Sequence, residues 1–226
     1  MDFKAGEIFA IDKPYRISSF GALAHVRYVL SRTLGYKVKI GHAGTLDPLA
    51  TGVLILCTGK ATKKIEEFQG QTKEYMATLQ LGATTASYDM EHEVNASFPT
   101  EHITRELIND TLPQFIGDIE QIPPTYSAVK VNGDRAYELR RAGEEVKLKP
   151  KHIHIDEIEV VDFDVEKMQL SLRVVCGKGT YIRALARDLG RALNSGAYLT
   201  ALRRTRVGDF TIDRCLDYEH IREWIE

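Results

Sequence analysis

Gly41-His42-Ala43-Gly44-Thr45-Leu46-Asp47-Pro48-Leu49-Ala50-Thr51-Gly52-Val53-Leu54 sets one carboxylate in a stretch dense in glycine and proline, just ahead of the apolar run 53–57. A charged loop residue in front of a buried strand is where catalytic groups are often carried. Pro48 pushes Asp47 out of the helical region toward extended or turn geometry. Gly41, Gly44 and Gly52 open backbone angles that other residues resist. Physics alone gives a constrained loop carboxylate. Taken singly, an Asp before a proline is most often a turn residue bonded to its own backbone.

Composition sets the outer bounds. The chain has 226 residues, 43% hydrophobic and 27% charged, ordinary for a globular protein with a sizeable core. No run approaches the roughly 18 apolar residues of a membrane span, and the N-terminus Met-Asp-Phe-Lys-Ala-Gly-Glu has no signal-peptide core. Cys57, Cys176 and Cys215 are odd in number, distant and free of any CxxC, so they read as reduced thiols of a cytoplasmic protein. Net charge is −2, which taken whole argues against a nucleic-acid partner. Local charge is segregated, however. Lys60, Lys63 and Lys64 cluster, as do Arg135, Arg140 and Arg141, and Arg203, Arg204 and Arg206. Acids gather at Asp89, Glu91 and Glu93 and at Asp156, Glu157 and Glu159. Such segregation gives a neutral protein a basic face for phosphates; residue by residue, each run also reads as a solvated face.

Along the chain, 7–13 reads as a first strand ended by Pro14, and Ser18 or Ser19 caps a helix running to Leu34, stopped by Gly35. Strands are expected at 53–57 and at 74–81, where Tyr75, Ala77, Leu79 and Leu81 alternate onto one face. Residues 62–69 and 104–115 read as helices, the second shortened by Pro113. Residues 125–131 look strand-like, 133–143 a loop and short helix, and 153–165 with 168–176 a hairpin. An amphipathic helix covers 181–193 with Gly190 interrupting it late, 205–212 is a last strand, and 217–226 is helix-like. Strands with helices interspersed irregularly give an α+β fold with a mixed or antiparallel sheet.

The segment Gly-Thr-Leu-Asp-Pro-Leu-Ala-Thr-Gly-Val-Leu, 44–54, closely resembles the catalytic motif of the TruB family of tRNA pseudouridine synthases. The likeness extends through Lys73-Glu74-Tyr75, Leu81-Gly82-Ala83-Thr84-Thr85 with Asp89, the 122–130 stretch Ile-Pro-Pro-Thr-Tyr-Ser-Ala-Val-Lys with Arg135-Ala136-Tyr137, Cys176-Gly177-Lys178-Gly179-Thr180-Tyr181-Ile182-Arg183, and Leu202-Arg203-Arg204. The resemblance implies the pseudouridine synthase fold: a central mixed or antiparallel sheet with flanking helices, a cleft across it, and an RNA-gripping thumb-loop insertion at about 122–147. It implies one catalytic domain over 1–226, with no counterpart of the family's usual C-terminal PUA domain before Glu226.

The family's reaction breaks the N1 glycosidic bond of uridine, turns the base and rejoins it through C5, with no change in atom count and no need of cofactor or metal. One carboxylate serves such chemistry as base or nucleophile, and the resemblance assigns that role to Asp47. Attack at C1′, addition at C6 and proton removal at C2′ are all open to it. Arg183 is expected to hold Asp47 ionised and aimed, since a cation within about 4–6 Å favours a carboxylate's charged form. Tyr75 is expected to stack on the base, Tyr181 to line the same pocket, and Leu202 to close it. Each of these also reads as an ordinary packing residue. The target base must leave its stack, and His42 is expected to fill the gap. Lys60, Lys63, Lys130, Arg135, Arg140 and Arg141 are expected to hold phosphates around the stem-loop, where shape and splayed bases carry specificity. The implied partner is the T stem-loop of tRNA, at the uridine of position 55, met by a monomer without guide RNA.

Three rivals stand beside this reading. In an RNA-binding module without chemistry, Asp47 would be a turn residue. In a nucleotide-binding enzyme, Thr58-Gly59-Lys60 or Gly177-Lys178-Gly179-Thr180 would cradle phosphate, yet six residues separate Gly52 from Gly59 where a P-loop has four, and neither Lys precedes Ser or Thr. A guide-dependent or ribosomal-RNA pseudouridine synthase is nearer. The Thr-Leu-Asp context differs from the Arg-Leu-Asp of ribosomal-RNA families. His152 and His154 share a strand face but lack a third ligand at metal-binding spacing.

Overall fold

The structure, a computed structural model, describes residues 2–127, 129–131 and 133–225. Ala128 of the 122–130 motif and Glu226 lie outside the described residues, as do the side chains of Lys130, Val131, Arg135 and Arg141. In chain order the elements are β1 (Ile8–Lys13), α1 (Ser19–Leu34), β2 (Ile40–Ala43), β3 (Ala50–Thr58), a 3-10 turn (Gly59–Lys64) running into α2 (Ile65–Gly70), β4 (Lys73–Leu81), β5 (Ala83–Thr85) and β6 (Val94–Ser97). Then come α3 (Arg105–Thr111), β7 (Gly117–Gln121), β8 (Lys130–Val131), β9 (Asp134–Arg135), α4 (Ala136–Arg141), β10 (Lys151–Asp164), β11 (Gln169–Cys176), α5 (Ile182–Ala192), β12 (Ala197–Val207) and β13 (Phe210–Thr211). Among the described residues the main sheet pairs in the order β1-β3-β12-β4-β11-β10-β7, a mixed sheet in an α+β fold.

The chain forms two compact units, Met1–Tyr75 with Leu202–Glu226, and Met76–Ala201. In the first, β1 runs antiparallel to β3 and β12 parallel to it. β3 is buried on both faces, which is why its sequence is an unbroken apolar run. On one side α1 lays Ala22, Leu23, Val26, Val29 and Leu30 over Phe9, Ile11, Leu54 and Leu56, with Tyr218 and Ile221 closing the same cluster. On the other, Phe68 and Ala61 cover Ala43, Val53, Ile55 and Cys57. Ser18 caps α1 by accepting from the Gly21 N–H, and Gly35 ends it in the left-handed region at φ +72°. Ser19, the other candidate cap, is buried instead and bonded to Leu46: its hydroxyl donates to the Leu46 carbonyl at 3.0 Å and accepts from the Leu46 N–H at 2.8 Å.

In the second unit β10 and β11 form the expected hairpin, and β7 pairs with the free side of β10. β4, whose residues up to Tyr75 belong to the first unit, alternates buried and half-buried along its length, with Tyr75, Ala77, Leu79 and Leu81 on the buried side, as the period-two pattern requires. Gly190 does not interrupt α5: it is buried, and an added Cβ would lie 2.4 Å from the Ala197 N, so it marks a close backbone approach. Three further expectations are corrected. Residues 125–127 are bends, and only 130–131 pair, with 134–135. The last strand begins at Ala197, not at 205, and turns back at Gly208 into β13. The 217–225 segment is a series of turns rather than a helix.

The backbone register most exposed to test is that between β3 and β12. Gly52 pairs with Arg204 at φ +106°, and an added Cβ would lie 2.1 Å from the Arg204 carbonyl oxygen. Gly52→Ala should lose about 3 kcal/mol or more, seen as a lower urea midpoint; an unchanged midpoint would show that the register is not fixed in this way.

Candidate active site

Asp47 sits half-buried in the first unit, in a turn closed by the Ala50 N–H donating to the Asp47 carbonyl at 3.0 Å. Ala50 opens β3 and pairs with Leu202 of β12, so strand register sets Leu202 beside the end of the Asp47 turn, although the two lie 155 positions apart in sequence. Thr51, one residue on, is held by Arg203, whose guanidinium also pairs with Asp12 at 2.7 Å.

Two buried cations that sequence reasoning did not assign stand under this loop. Lys13 is fully buried and donates to the carbonyls of Pro14 (2.9 Å), Ile17 (2.6 Å) and Pro48 (3.4 Å). Burial pulls its pKa down to about 8, the Asp47 charge pulls it back up, and Arg204 lowers it further. Arg204 is 1% exposed; its Nε donates to the Val53 carbonyl (2.8 Å) and its guanidinium to that of Gly44 (3.0 Å). One side chain therefore ties the loop's first residue to the strand that follows it. Both were legible in principle. Lys13 shares its period-two face with Phe9 and Ile11, and a pair Arg203-Arg204 on a strand must send one side chain inward.

His42 lies on β2, opposite Leu56 of β3, rather than in the loop. It is half-buried, its Nδ1 finds no hydrogen-bond partner among the described residues, and burial, then the Arg204 charge, lowers its pKa. The imidazole is thus kept neutral at physiological pH. Tyr75 is 7% exposed on β4, while Lys60 and Lys63 are exposed on the 3-10 turn after β3.

In the second unit, Tyr181 caps α5 with extended backbone. Its N–H donates to the Gln121 side-chain oxygen at 2.9 Å, and the Gln121 amide returns a bond to the Tyr181 carbonyl at 3.2 Å. Arg183, two residues on, is buried; its Nε meets the Asp89 carboxylate at 3.6 Å and its Nη1 donates to the Ser87 carbonyl at 3.1 Å. Asp89 is itself buried and takes the Ser87 hydroxyl at 2.5 Å, so it does not belong to a solvated acidic face. Arg140 donates to the Glu144 carbonyl and lies over the Tyr126 ring. His154 is exposed between Asp118 (2.8 Å) and Asp156 (3.6 Å); the bond to Asp118 raises its pKa.

A sequence profile described as "TruB family pseudouridylate synthase (N terminal domain)" matches residues 31–182, and one described as "tRNA pseudouridylate synthase B C-terminal domain" matches 183–226. The chain is 62% identical to a protein named tRNA pseudouridine synthase B from Bacteroides thetaiotaomicron, across all of this chain and 95% of that one. It is 49% identical to a protein of the same name from Flavobacterium johnsoniae, covering all of this chain and 98% of the other. Among solved structures, a chain of a Cbf5-Nop10-Gar1 complex superposes with a TM-score of 0.72 at 28% identity, over 99% of this chain and 56% of that one. Fold and site motifs together define a pseudouridine synthase, an isomerase. Within that class, the chain belongs to the TruB family of tRNA pseudouridine synthases.

Two measurements probe the cations beneath the loop. Below pH 8 both folded and unfolded chains hold the Lys13 proton; between about 8 and the ordinary 10.5 only the unfolded chain does. Stability from this group therefore rises with pH across that window, by about 3 kcal/mol in all. Cys57 and Cys215, pushed up by burial to about 11 and about 12, act in the opposite sense above their ordinary 9. The Lys13 effect is thus read as wild type minus Lys13→Met, in urea titrations from pH 7.5 to 9; parallel curves would refute it. Arg204→Lys leaves at least one of two buried carbonyls without its donor, costing about 1–3 kcal/mol. It should lower kcat more than it raises KM, because the loop rather than the RNA grip is loosened; the reverse split would contradict that role.

Proposed function

We propose that this enzyme converts the uridine at position 55 of the tRNA T loop to pseudouridine, with Asp47 as the catalytic residue. The observation that carries the reading is the 44–54 segment itself: it matches the family's catalytic motif and is held as a fixed turn between the buried Arg204 and the start of β3. The relatives named tRNA pseudouridine synthase B, alike over nearly their whole length, support tRNA as the substrate.

In this reading residues 1–226 work as one catalytic domain and as a monomer, without guide RNA, cofactor or metal. The uridine is flipped from the T loop, and neutral His42, at the end of β2, fills its place without carrying charge into the base stack. Asp47, as carboxylate, drives cleavage of the C1′–N1 bond. The uracil is retained, rotates, and rejoins C1′ through C5, whose proton leaves to solvent while N1 regains one. Tyr75 stacks on the base, Leu202 closes over it, and Tyr181 and Arg183 are assigned to the same substrate by their motif. Lys60, Lys63 and Arg140, with Lys130, Arg135 and Arg141, hold phosphates of the stem-loop.

Tritium release from C5-labelled uridine in unmodified tRNA tests the reading. Wild type should release label; Asp47→Asn should release none while binding tRNA within about threefold, since only a transition-state interaction is lost; and a tRNA with cytidine at the T-loop position should yield no release. Release by Asp47→Asn near the wild-type rate would overturn the assignment, and release from the cytidine-substituted tRNA would move the target elsewhere.

A further inference from the structure

The outer face of α1 has no role in the chemistry above, yet its composition is unlike the rest of the chain. From Pro14 to Leu46 there is no Asp or Glu, while Arg16, Arg27, Arg32, Lys37 and Lys39 are all basic. With 32 acids in 226 residues, a run of this length would ordinarily hold nearly five. On the same stretch, three aromatic rings stand in solvent: Tyr15 at 46%, Phe20 at 67% and Tyr28 at 59% exposure. Phe20, Arg27, Tyr28 and Arg32 fall at helical spacing on one side of α1, opposite the buried Ala22, Val26, Val29 and Leu30. Guanidinium groups sit over two of the rings, Arg16 over Tyr15 at 5.5 Å and Arg32 over Tyr28 at 5.9 Å. Arg16 itself is held at φ +65°, a left-handed conformation rare for a residue with a side chain.

This face is continuous with the Asp47 loop inside one unit. Ser19, at the first turn of α1, is bonded twice to Leu46, and the Lys13 ammonium joins the Pro14 and Ile17 carbonyls to that of Pro48. The stripe thus starts beside the catalytic turn and runs outward along the 16 residues of α1, about 24 Å. Rings that offer a π-face, alternating with guanidiniums, are the chemistry that holds splayed bases and phosphates. A second copy packed two-fold on this same face would set like charge against like charge.

We propose, on the reading that tRNA is the substrate, that α1 and the Tyr15-Arg16 turn bind RNA outside the arm that carries the reactive uridine. The test compares an unmodified full-length tRNA transcript with an isolated T-arm stem-loop. Arg27→Glu with Arg32→Glu should raise Kd for the full tRNA at least about tenfold and flatten the slope of log K against log salt by about two. Tyr28→Ala should weaken full-tRNA binding about fivefold or more through lost stacking. Stem-loop affinity and tritium release at saturating stem-loop should stay within about twofold of wild type, which also shows that the variants fold.

Unchanged affinity and salt slope for full tRNA would overturn the proposal. An equal loss on both RNAs would overturn it too, placing the face against the reactive arm. So would a change confined to sedimentation, which would make the face a contact between copies. If the uridine assignment is wrong, wild type releases no tritium that depends on the T-loop uridine, from full tRNA or stem-loop, while the binding comparison still reads out, so the two failures are distinguishable.

Discussion

Arg204 is the fixed point of the first unit. Its guanidinium is taken out of water with no carboxylate in ion-pair contact among the described residues, and carbonyl oxygens of Gly44 and Val53 stand in for the lost hydration. That arrangement only exists if β12 lies in one register on β3, which Gly52 permits by lacking a side chain where the Arg204 backbone passes. Lys13, a second buried cation, obeys the same rule with three carbonyls. Two desolvated positive charges close to one turn make it a place where a carboxylate is welcome and where the backbone has little freedom to drift. The loop's geometry is thus a consequence of charge burial as much as of glycine and proline content.

The elements that were legible in the sequence are those whose burial is one-sided and apolar. β4 showed its alternation, the 53–57 run its double burial, and α1 its cap, stripe and terminal glycine. What stayed hidden has polar residues performing interior tasks. β12 alternates only briefly, at Ala197 to Thr200, before exposed Ala201, half-buried Leu202 and Arg203 and buried Arg204 break the period, so the strand is hidden until 205. β2 has four residues, one a glycine, too few to show a period. The 217–225 turns bury Tyr218 and Ile221 three residues apart, a spacing that a helix would share.

Among candidate functional residues the same division holds. Asp47, His42, Tyr75, Tyr181, Arg183 and Leu202 were singled out because motifs carry them. Lys13, Ser19, Asp89, Arg204 and Gln121 were not, because each acts on backbone or on another side chain. In a sequence such residues look like a strand end, a spare cap, an acid run, a basic run and a polar loop residue. Only the accounting of buried donors and acceptors separates them from surface.

The pair of Asp89 and Arg183 has a bearing on when conformational freedom is given up. An arginine carries several rotatable bonds, and an exposed one surrenders that freedom when it grips a ligand. Here the surrender happens during folding: Asp89, the Ser87 carbonyl and the surrounding burial have already chosen the side chain's posture. Any ligand that reaches this guanidinium therefore meets a group with no disorder left to lose.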